Sequence, residues 1–238
     1  MGENVILQPG VICLYDNNKD CRKYIYPKNF IKYNNARYIP IGVIVTPIGL
    51  NQHLMISLPI MQCNSPTTGS IDKSDSLSNR IDMKWGPSIT ISRVPNIKSA
   101  EEAFANFNGK EYTDAIIETR GKKDYSSWKP NDLTGSIDYP AASCCDIFFT
   151  QGTEQQMWYL PACGELNYLY VNYEAINNAL QILVDNGVFC CTLDNDRYWS
   201  CNDYGGVYAW NFVPANASID YNNKVTNGYK VRAFYKIN

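Results

Sequence analysis

Several residue types are too scarce or too scattered in this sequence to build common kinds of functional site. The 238 residues include one histidine, His53, so any metal site that needs two histidine ligands is excluded. His53 begins an apolar run, and we interpret it as an ordinary strand-end residue rather than as a catalytic base. No two cysteines are spaced as Cys-x-x-Cys, which argues against structural zinc and thioredoxin-like chemistry.

Long runs of like charge and of apolar residues are also missing. The net charge is −2 and no stretch is rich in Lys or Arg, so we expect no nucleic-acid partner. No apolar run approaches the roughly 18 residues of a membrane-spanning helix, so we expect no membrane insertion. The first residues lack a basic segment followed by an apolar one, so no signal peptide is visible. A hydrophobic content of 45% is enough for a well-buried core in one large domain.

The nine cysteines are odd in number, so at least one thiol is free or pairs with another chain. Cys144 and Cys145 are neighbours, as are Cys190 and Cys191, and adjacent cysteines do not readily form a disulfide with each other. We expect small, buried, reduced thiols in a protein made in a reducing compartment. A disulfide framework is the alternative.

Apolar and β-branched runs at both ends of the chain predict strands. In the first part they lie within 11–61, and the polar, aperiodic residues 62–98 predict a loop insertion. Near the end, short strands are predicted at 198–200, 208–212 and 229–237, and the last of these alternates in side-chain character. We predict that strands from 11–61 pair with the C-terminal strand.

The middle of the chain shows helical spacing. Ser99 and Glu102 form a capping-box pattern, and Gly109 is predicted to end that first helix. Further helical patterns lie at 112–121, 140–148 and 166–186. No internal repeat or Gly-Ser linker divides the chain, so we expect a single α+β domain.

The stretch from Trp158 to Leu166 reads W-Y-L-P-A-C-G-E-L. It resembles the W-x-L-P-[ST]-x-x-E-L signature of bacterial and phage C-type-lectin-like domains. Other parts of the chain resemble, in the same order, further motifs of members from gut Bacteroidetes. These parts are residues 107–110, 139–142, 168–180, 198–204, 209–212 and 231–234. The resemblance implies a single C-type-lectin-like α+β domain over 1–238, with a mixed or antiparallel sheet and two or more helices.

Within that group the tail resembles the variable proteins of diversity-generating retroelements, in which a reverse transcriptase mutates adenines, usually in Asn codons. Such a codon cannot become Lys, Glu, Gln, Met or Trp. Residues 194–223 contain none of the first four, and their two Trp, Trp199 and Trp210, stand at motif positions. The whole chain has 14 Lys, 8 Glu, 7 Gln and 5 Met, so about four would be expected in such a window. The resemblance therefore implies a variable ligand-binding region at 188–229.

We predict that the diversified side chains lie largely on one exposed surface, because variable residues in a core would cost stability. Trp199 and Trp210 are predicted to be buried scaffold. Tyr offers stiff contact area, and Asn, Ser and Gly adapt their hydrogen bonds, as in antibody paratopes. A polar loop with turn-forming Asn and Gly is the alternative. The predicted ligand-binding residues are Asp196, Tyr198, Cys201, Asn202, Tyr204, Gly205, Gly206, Val207, Tyr208, Asn211, Ser218, Asp220, Tyr221 and Asn223.

The sequence lacks the residues that two other activities of similar folds require. Calcium-dependent sugar binding needs clustered oxygen ligands, and the E-P-N and Q-P-D lectin signatures are absent; Cys201-Asn202-Asp203 resembles W-N-D in part. Sulfatase-activating oxidases rest on a cysteine pair that has no recognisable counterpart. We therefore expect no metal, no cofactor and no enzymatic activity.

The sequence thus predicts a non-enzymatic receptor-binding protein with a diversified surface, at a phage tail fibre or on a bacterial cell surface. Its expected partner is a protein or glycan on a target cell, and a homo-oligomer such as a trimer would suit a tail tip. A fixed-sequence adhesin or fimbrial-type structural domain of the same fold is the alternative.

Overall fold

The structure, a computed structural model, describes residues 4–60, 82–119, 139–154 and 156–237. The first part of the chain is a run of strands with one 3-10 helix at Pro27–Lys32. These strands are β1 (Ile12–Asp16), β2 (Cys21–Ile25), β3 (Tyr38–Ile44), β4 (His53–Ser57) and the short β5 (Met83–Lys84). His53 begins β4 and lies 3.4 Å from the Thr46 hydroxyl, as expected of a strand-end residue.

The middle of the chain is helical and the end returns to strands. The helices are α1 (Ala100–Phe104), α2 (Gly109–Thr119), α3 (Pro140–Ile147), α4 (Cys163–Val171) and α5 (Tyr173–Asp185). The later strands are β6 (Trp158–Tyr159), β7 (Tyr198–Gly205), β8 (Tyr208–Val213), β9 (Ser218–Asn223), β10 (Gly228–Tyr229) and β11 (Phe234–Ile237). The protein is therefore α+β, as predicted.

A six-stranded antiparallel sheet joins the two ends of the chain. Its strand order is β2-β1-β3-β4-β11-β6. The C-terminal strand β11 pairs with β4, with Phe234 opposite Ile56 and Tyr235 opposite Met55. The predicted pairing of the first strands with the last is confirmed.

Both faces of this sheet are covered. Ile56 and Phe234 pack in one cluster with Leu180 of α5, whereas Met55 and Tyr235 pack in another with residues of α2 and α3. Alternating side chains of a strand point to opposite faces. The alternation along the last strand therefore separates two cores rather than a core from solvent.

Arg232 lies in the segment that leads into β11, and it is fully buried although it is charged. Its guanidinium donates to the carbonyl oxygens of Ser57, at 3.2 Å, and of Cys191, at 2.9 Å. These bonds attach the residues before β7 to the end of β4. A buried charge is tolerated where several acceptors replace water.

Gly109 begins α2 instead of ending the preceding helix, so that prediction is wrong. A Cβ at this position would lie 2.0 Å from the Glu165 carboxylate and 2.7 Å from the Tyr159 ring. The Glu165 carboxylate also accepts hydrogen bonds from the Tyr159 hydroxyl, at 3.0 Å, and from the Ala162 N–H, at 2.8 Å. Glycine is needed here because of this close approach to the start of α4.

The segment predicted as a loop insertion, 62–98, divides into two parts. Residues 62–81 lie outside the described residues. The remainder has little regular structure, but Trp85, Ile91 and Val94 are buried in the core beside α2 and α3. The indole of Trp85 donates to the Ser200 carbonyl at 2.7 Å. Residues 82–98 are thus an aperiodic part of the core.

The edge strands β2 and β9 are among those not predicted from the sequence. β2 contains Arg22 and Lys23, and β9 reads S-I-D-Y-N-N. Each lies at the edge of its sheet, with polar residues that blur the apolar alternation. The predicted burial is confirmed for the described cysteines, of which all but Cys21 are buried.

Replacing Trp199 with alanine should destabilise the protein by about 3–5 kcal/mol, because a large buried side chain is lost. Trp199 and Trp210 are 0% and 4% exposed, which confirms their predicted burial. The Trp199 indole also donates to the Met83 carbonyl at 2.7 Å. Thermal unfolding of Trp199→Ala measures the effect, with the exposed Tyr170→Ala as control. Equal melting temperatures of Trp199→Ala and wild type would contradict the assignment.

Glu165 should make stability fall as the pH rises. Burial raises the pKa of Glu165 to about 8, against the lowering effect of its hydrogen bonds, whereas an unfolded Glu titrates near about 4.3. Between these pH values Glu165 is protonated in the folded chain and ionised in the unfolded chain. The free energy of unfolding therefore decreases as the pH rises, by at most about 1.4 kcal/mol per pH unit. Chemical denaturation from pH 5 to 8 should show this slope in the wild type and a flatter one in Glu165→Gln; parallel slopes would refute it.

Candidate binding surface

The predicted ligand-binding residues lie on and around a second sheet of three antiparallel strands, in the order β7-β8-β9. Tyr208 stands opposite Asn223, and Trp210 stands opposite Tyr221. Several contacts tie the sheet to the rest of the molecule. Among them are the isolated bridges of Asn96 with Asp203 and of Tyr198 with Lys230, and the indole hydrogen bonds of Trp85, Trp199 and Trp210.

Four residues of the predicted set are fully buried, so their predicted exposure is wrong. They are Tyr198, Cys201, Asn202 and Asn211. Tyr198 packs against Phe212 in the core, and its hydroxyl donates to Asp194 at 3.1 Å. Burial raises the pKa of Cys201 well above its ordinary value, so this thiol stays protonated and unreactive.

The two buried asparagines connect elements through their side chains. Asn202 accepts from the Cys163 N–H at 2.7 Å, at the first turn of α4. Asn211 accepts from Arg197 at 2.7 Å and donates to the Asp220 carbonyl at 3.0 Å. An amide without such partners would be costly to bury. The sequence alone does not show whether an Asn is a variable surface residue or a structural one, and for this reason Asn202 and Asn211 were assigned to the surface.

The other ten predicted residues are exposed or half-buried, but they do not all share one face. Alternation along β9 places Tyr221 and Asn223 on one side of the sheet and Ser218 and Asp220 on the other. Tyr221 contacts the rings of Tyr204 and Tyr208, whereas Asp220 pairs with Arg197. The expectation of one common surface therefore holds for part of the set.

Tyr204, Val207, Tyr208 and Tyr221 form what we call the aromatic patch. The rings of Tyr204 and Tyr221 stack in parallel with centroids 3.7 Å apart, and the Tyr208 ring meets Tyr221 edge-on at 5.8 Å. Val207, Tyr208 and Tyr221 are each about 40% exposed. Beneath them lies the buried Trp210, 5.6 Å from the Tyr221 ring. The patch is an exposed aromatic surface on a rigid base.

Three neighbours of the aromatic patch were missed from the sequence. The Lys98 ammonium lies 4.4 Å from the Tyr204 ring and donates to the Tyr204 carbonyl. Ile89 and Val225 are also exposed. Next to Ile89, the Thr90 hydroxyl accepts from the Gly206 N–H. Next to Val225, the Lys224 N–H donates to the Val207 carbonyl. Ile89 and Lys98 fall in or beside the aperiodic segment, which carries no sequence signal for a surface.

A buried ion pair supports the turn between β7 and β8. Lys224 and Asp203 are 2.9 Å apart and both side chains are 0% exposed. The Lys224 ammonium also donates to the Ile89 carbonyl at 2.9 Å and lies 4.5 Å from the Trp85 ring. Asp203 accepts from the Gly205 N–H at 2.7 Å. Burial is the main cause that lowers the pKa of Lys224, against its bond to Asp203.

On the opposite face of the sheet the surface is polar. Arg197 bonds to Asn211 and lies 3.3 Å from Asp220, and Lys230 pairs with Asp194, at 2.6 Å, and with Asp196. Among the described residues, no group of three or more His, Cys, Asp or Glu is placed to hold a metal ion. No helix in the described ranges is both long and apolar enough to cross a membrane.

Removing one partner of the Lys224–Asp203 pair should lower the free energy of unfolding more than replacing both partners. Lys224→Met leaves the Asp203 carboxylate buried without its cation, and we expect a loss of about 3–5 kcal/mol in the free energy of unfolding. The double variant Lys224→Met with Asp203→Leu should recover part of that loss, because neither charge remains. Urea denaturation of the wild type and of the single and double variants measures both values. A double variant less stable than Lys224→Met would contradict this account.

Comparison with known proteins shows a similarity of fold, but no similarity of sequence that would indicate a family. No protein-family model matches the sequence, and no curated protein matches it. A crystal structure of a fimbrial protein from Bacteroides ovatus is similar in fold, with a TM-score of 0.59 and 16% sequence identity. The similarity covers 96% of this chain but 48% of that protein, so the chain spans about half of that protein's length. The α+β architecture is thus shared with a fimbrial protein.

Proposed function

We propose that this protein is a non-enzymatic binding domain of an adhesion protein, and that the aromatic patch is its contact surface. The observation that carries the proposal is the grouping of the Tyr204, Tyr208 and Tyr221 rings on one face of β7–β9, with the exposed Val207 in the adjoining turn. Exposed aromatic groups of this kind mark binding sites more often than scattered apolar residues do.

The rigidity of the aromatic patch favours binding as well. Tyr204 is held between Tyr221 and Lys98, and Trp210 supports both tyrosines from below. Side chains that are already ordered lose little conformational entropy when a partner docks. Tyrosines in such positions commonly carry most of the energy of an interface.

We further propose that the surface positions of the set are diversified by a retroelement, as in C-type-lectin-like variable proteins. Gly205 is an exception, because its φ is +102° and a Cβ would lie 2.8 Å from the side chains of Asn96 and Lys98. With Gly205 and the four buried residues assigned to the scaffold, the proposed variable positions are Asp196, Tyr204, Gly206, Val207, Tyr208, Ser218, Asp220, Tyr221 and Asn223.

The proposed partner is a protein or glycan on a target cell, and the proposed location is a phage tail fibre or a cell surface. A fixed-sequence adhesin or fimbrial-type structural domain is the second candidate, favoured by the fold similarity to a fimbrial protein. Genomic sequence distinguishes the two. A template repeat nearly identical to the region encoding 194–223, beside a reverse transcriptase gene, supports diversification, and a locus without both supports the fixed domain.

Binding of the purified protein to a panel of gut bacterial cells tests the proposed surface. Tyr208→Ala should weaken binding about tenfold, as expected of an interface tyrosine, while changing stability by less than about 1 kcal/mol. Tyr170→Ala is the matched control, because Tyr170 is 43% exposed on α4 and Tyr208 is 41% exposed. Equal binding by both variants would refute the assignment of the aromatic patch.

A further inference from the structure

A cleft of about 630 Å³ lies between the β1–β2 hairpin and the segment that leads into β6, and we call it the hairpin cleft. Its volume is in the range of small-molecule sites. Tyr15, Asp20 and Arg22 of the hairpin form one wall, and Glu154 with its neighbours and Tyr235 of β11 form the other. None of the lining residues belongs to β7–β9, so the hairpin cleft is separate from the aromatic patch.

Arg22 is the cation of the hairpin cleft, and its guanidinium is held in place. It lies 4.7 Å from the centroid of the buried Tyr235 ring. It also donates to the Tyr235 hydroxyl and, at 3.4 Å, to the Gly152 carbonyl. These contacts are with neutral groups, so they fix the guanidinium without cancelling its charge. A guanidinium fixed in this way presents a planar fork of N–H donors that matches a carboxylate.

Two carboxylates line the same cleft. Asp20 accepts a hydrogen bond from the Tyr15 hydroxyl. The Tyr15 ring in turn rests on Gly152, where a Cβ would lie 2.4 Å from the ring, so this side of the cleft is firmly packed. Glu154, on the facing segment, is exposed. One positive and two negative side chains give the lining a net charge of −1.

These charges favour a ligand that carries groups of both signs. A simple anion would meet Arg22 but also two carboxylates, and a simple cation would meet the guanidinium. A molecule with one carboxylate and two positive groups has a net charge of about +1 and complements the lining. An aliphatic stem between those groups would find the half-buried side chains of Tyr15 and Met157.

We propose that the hairpin cleft binds a basic α-amino acid of the lysine or arginine type. Its carboxylate pairs with Arg22, its side-chain cation lies against Glu154 and Asp20, and its stem packs on Tyr15. A free amino acid and the C-terminal basic residue of a peptide share this chemistry. The net charge of the cleft favours the free amino acid, because its α-ammonium group adds a positive charge. The site does not depend on the function proposed for the aromatic patch.

Titration of the isotope-labelled full chain with L-arginine, followed by NMR chemical shifts, tests the proposal. We expect a dissociation constant on the order of 1 mM, with the shifted resonances at the hairpin cleft. Citrulline lacks the side-chain cation and agmatine lacks the carboxylate, so each should bind at least about tenfold more weakly. The peptide Gly-Gly-Arg distinguishes the two sources: binding weaker than that of arginine identifies the free amino acid as the ligand, and tighter binding identifies a chain end.

Two variants test the two ends of the ligand separately. Arg22→Gln should weaken arginine binding about tenfold and leave the binding of agmatine, which has no carboxylate, unchanged. Glu154→Gln should weaken arginine binding about fivefold, as expected of an exposed ion pair, and leave the binding of citrulline unchanged. A variant that merely disturbs the fold would instead weaken the binding of every ligand.

Glu101→Gln is the matched control, because it removes an exposed carboxylate of α1 that does not line the cleft. Every variant is first checked for wild-type circular dichroism and melting temperature. The proposal is overturned if arginine does not bind, if citrulline and agmatine bind as tightly as arginine, if neither Arg22→Gln nor Glu154→Gln weakens binding, or if the shifted resonances belong to the aromatic patch. Tyr208→Ala should leave arginine binding intact, so failure of this proposal is distinguishable from failure of the proposed contact surface.

Discussion

The buried ion pair of Lys224 with Asp203 is the contact on which the candidate binding surface depends. Asp203 lies near the end of β7 and accepts from the N–H of Gly205, while Lys224 follows β9 and donates to the carbonyl of Ile89. One pair of charges thus joins the β7–β8 turn, the end of β9 and the aperiodic segment. Two charges removed from water are expensive unless they are paired and bonded in this way. The turn that presents Val207 and Tyr208 is fixed as a result.

The sheet separates buried residues that hold the fold from exposed residues that make few contacts with the core. Tyr198, Asn202 and Asn211 point inward and satisfy polar groups of other elements. Tyr208 on β8 and Tyr221 on the edge strand β9 project from the surface of the sheet instead. A change at the second kind of position alters the contact chemistry and leaves the core packing intact. That is the physical requirement for a binding surface with variable side chains.

Much of the fold could be predicted from the sequence. The alternation at 229–237, the apolar runs in 11–61 and the resemblance to lectin-like domains predicted that a strand of 11–61 pairs with the C-terminal strand, and β4 is that strand. Pro140 and the capping Ser99 located two helix starts. Edge strands such as β9 were missed, because an edge strand exposed to water need not alternate in polarity.

The candidate site could be predicted in part. The composition of 194–223 located the sheet that carries it, and Trp199 and Trp210 were correctly assigned to the scaffold. Burial of Asn202 and Asn211 depends on contacts with α4 and Arg197 that lie far away in sequence. Lys98 contacts Tyr204, and Thr90 accepts from the Gly206 N–H, through tertiary contacts that no local pattern encodes. Long-range contacts of this kind explain most of what the sequence left undetermined.

The central claim, a variable surface on a fixed sheet, is tested most directly by randomising each of the fourteen candidate positions and measuring the folded fraction by protease resistance. The account predicts broad tolerance at Val207, Tyr208 and Tyr221, and strong restriction at Asn202 and Asn211. Equal tolerance at buried and exposed positions, or restriction at Tyr208 as severe as at Asn211, would contradict it.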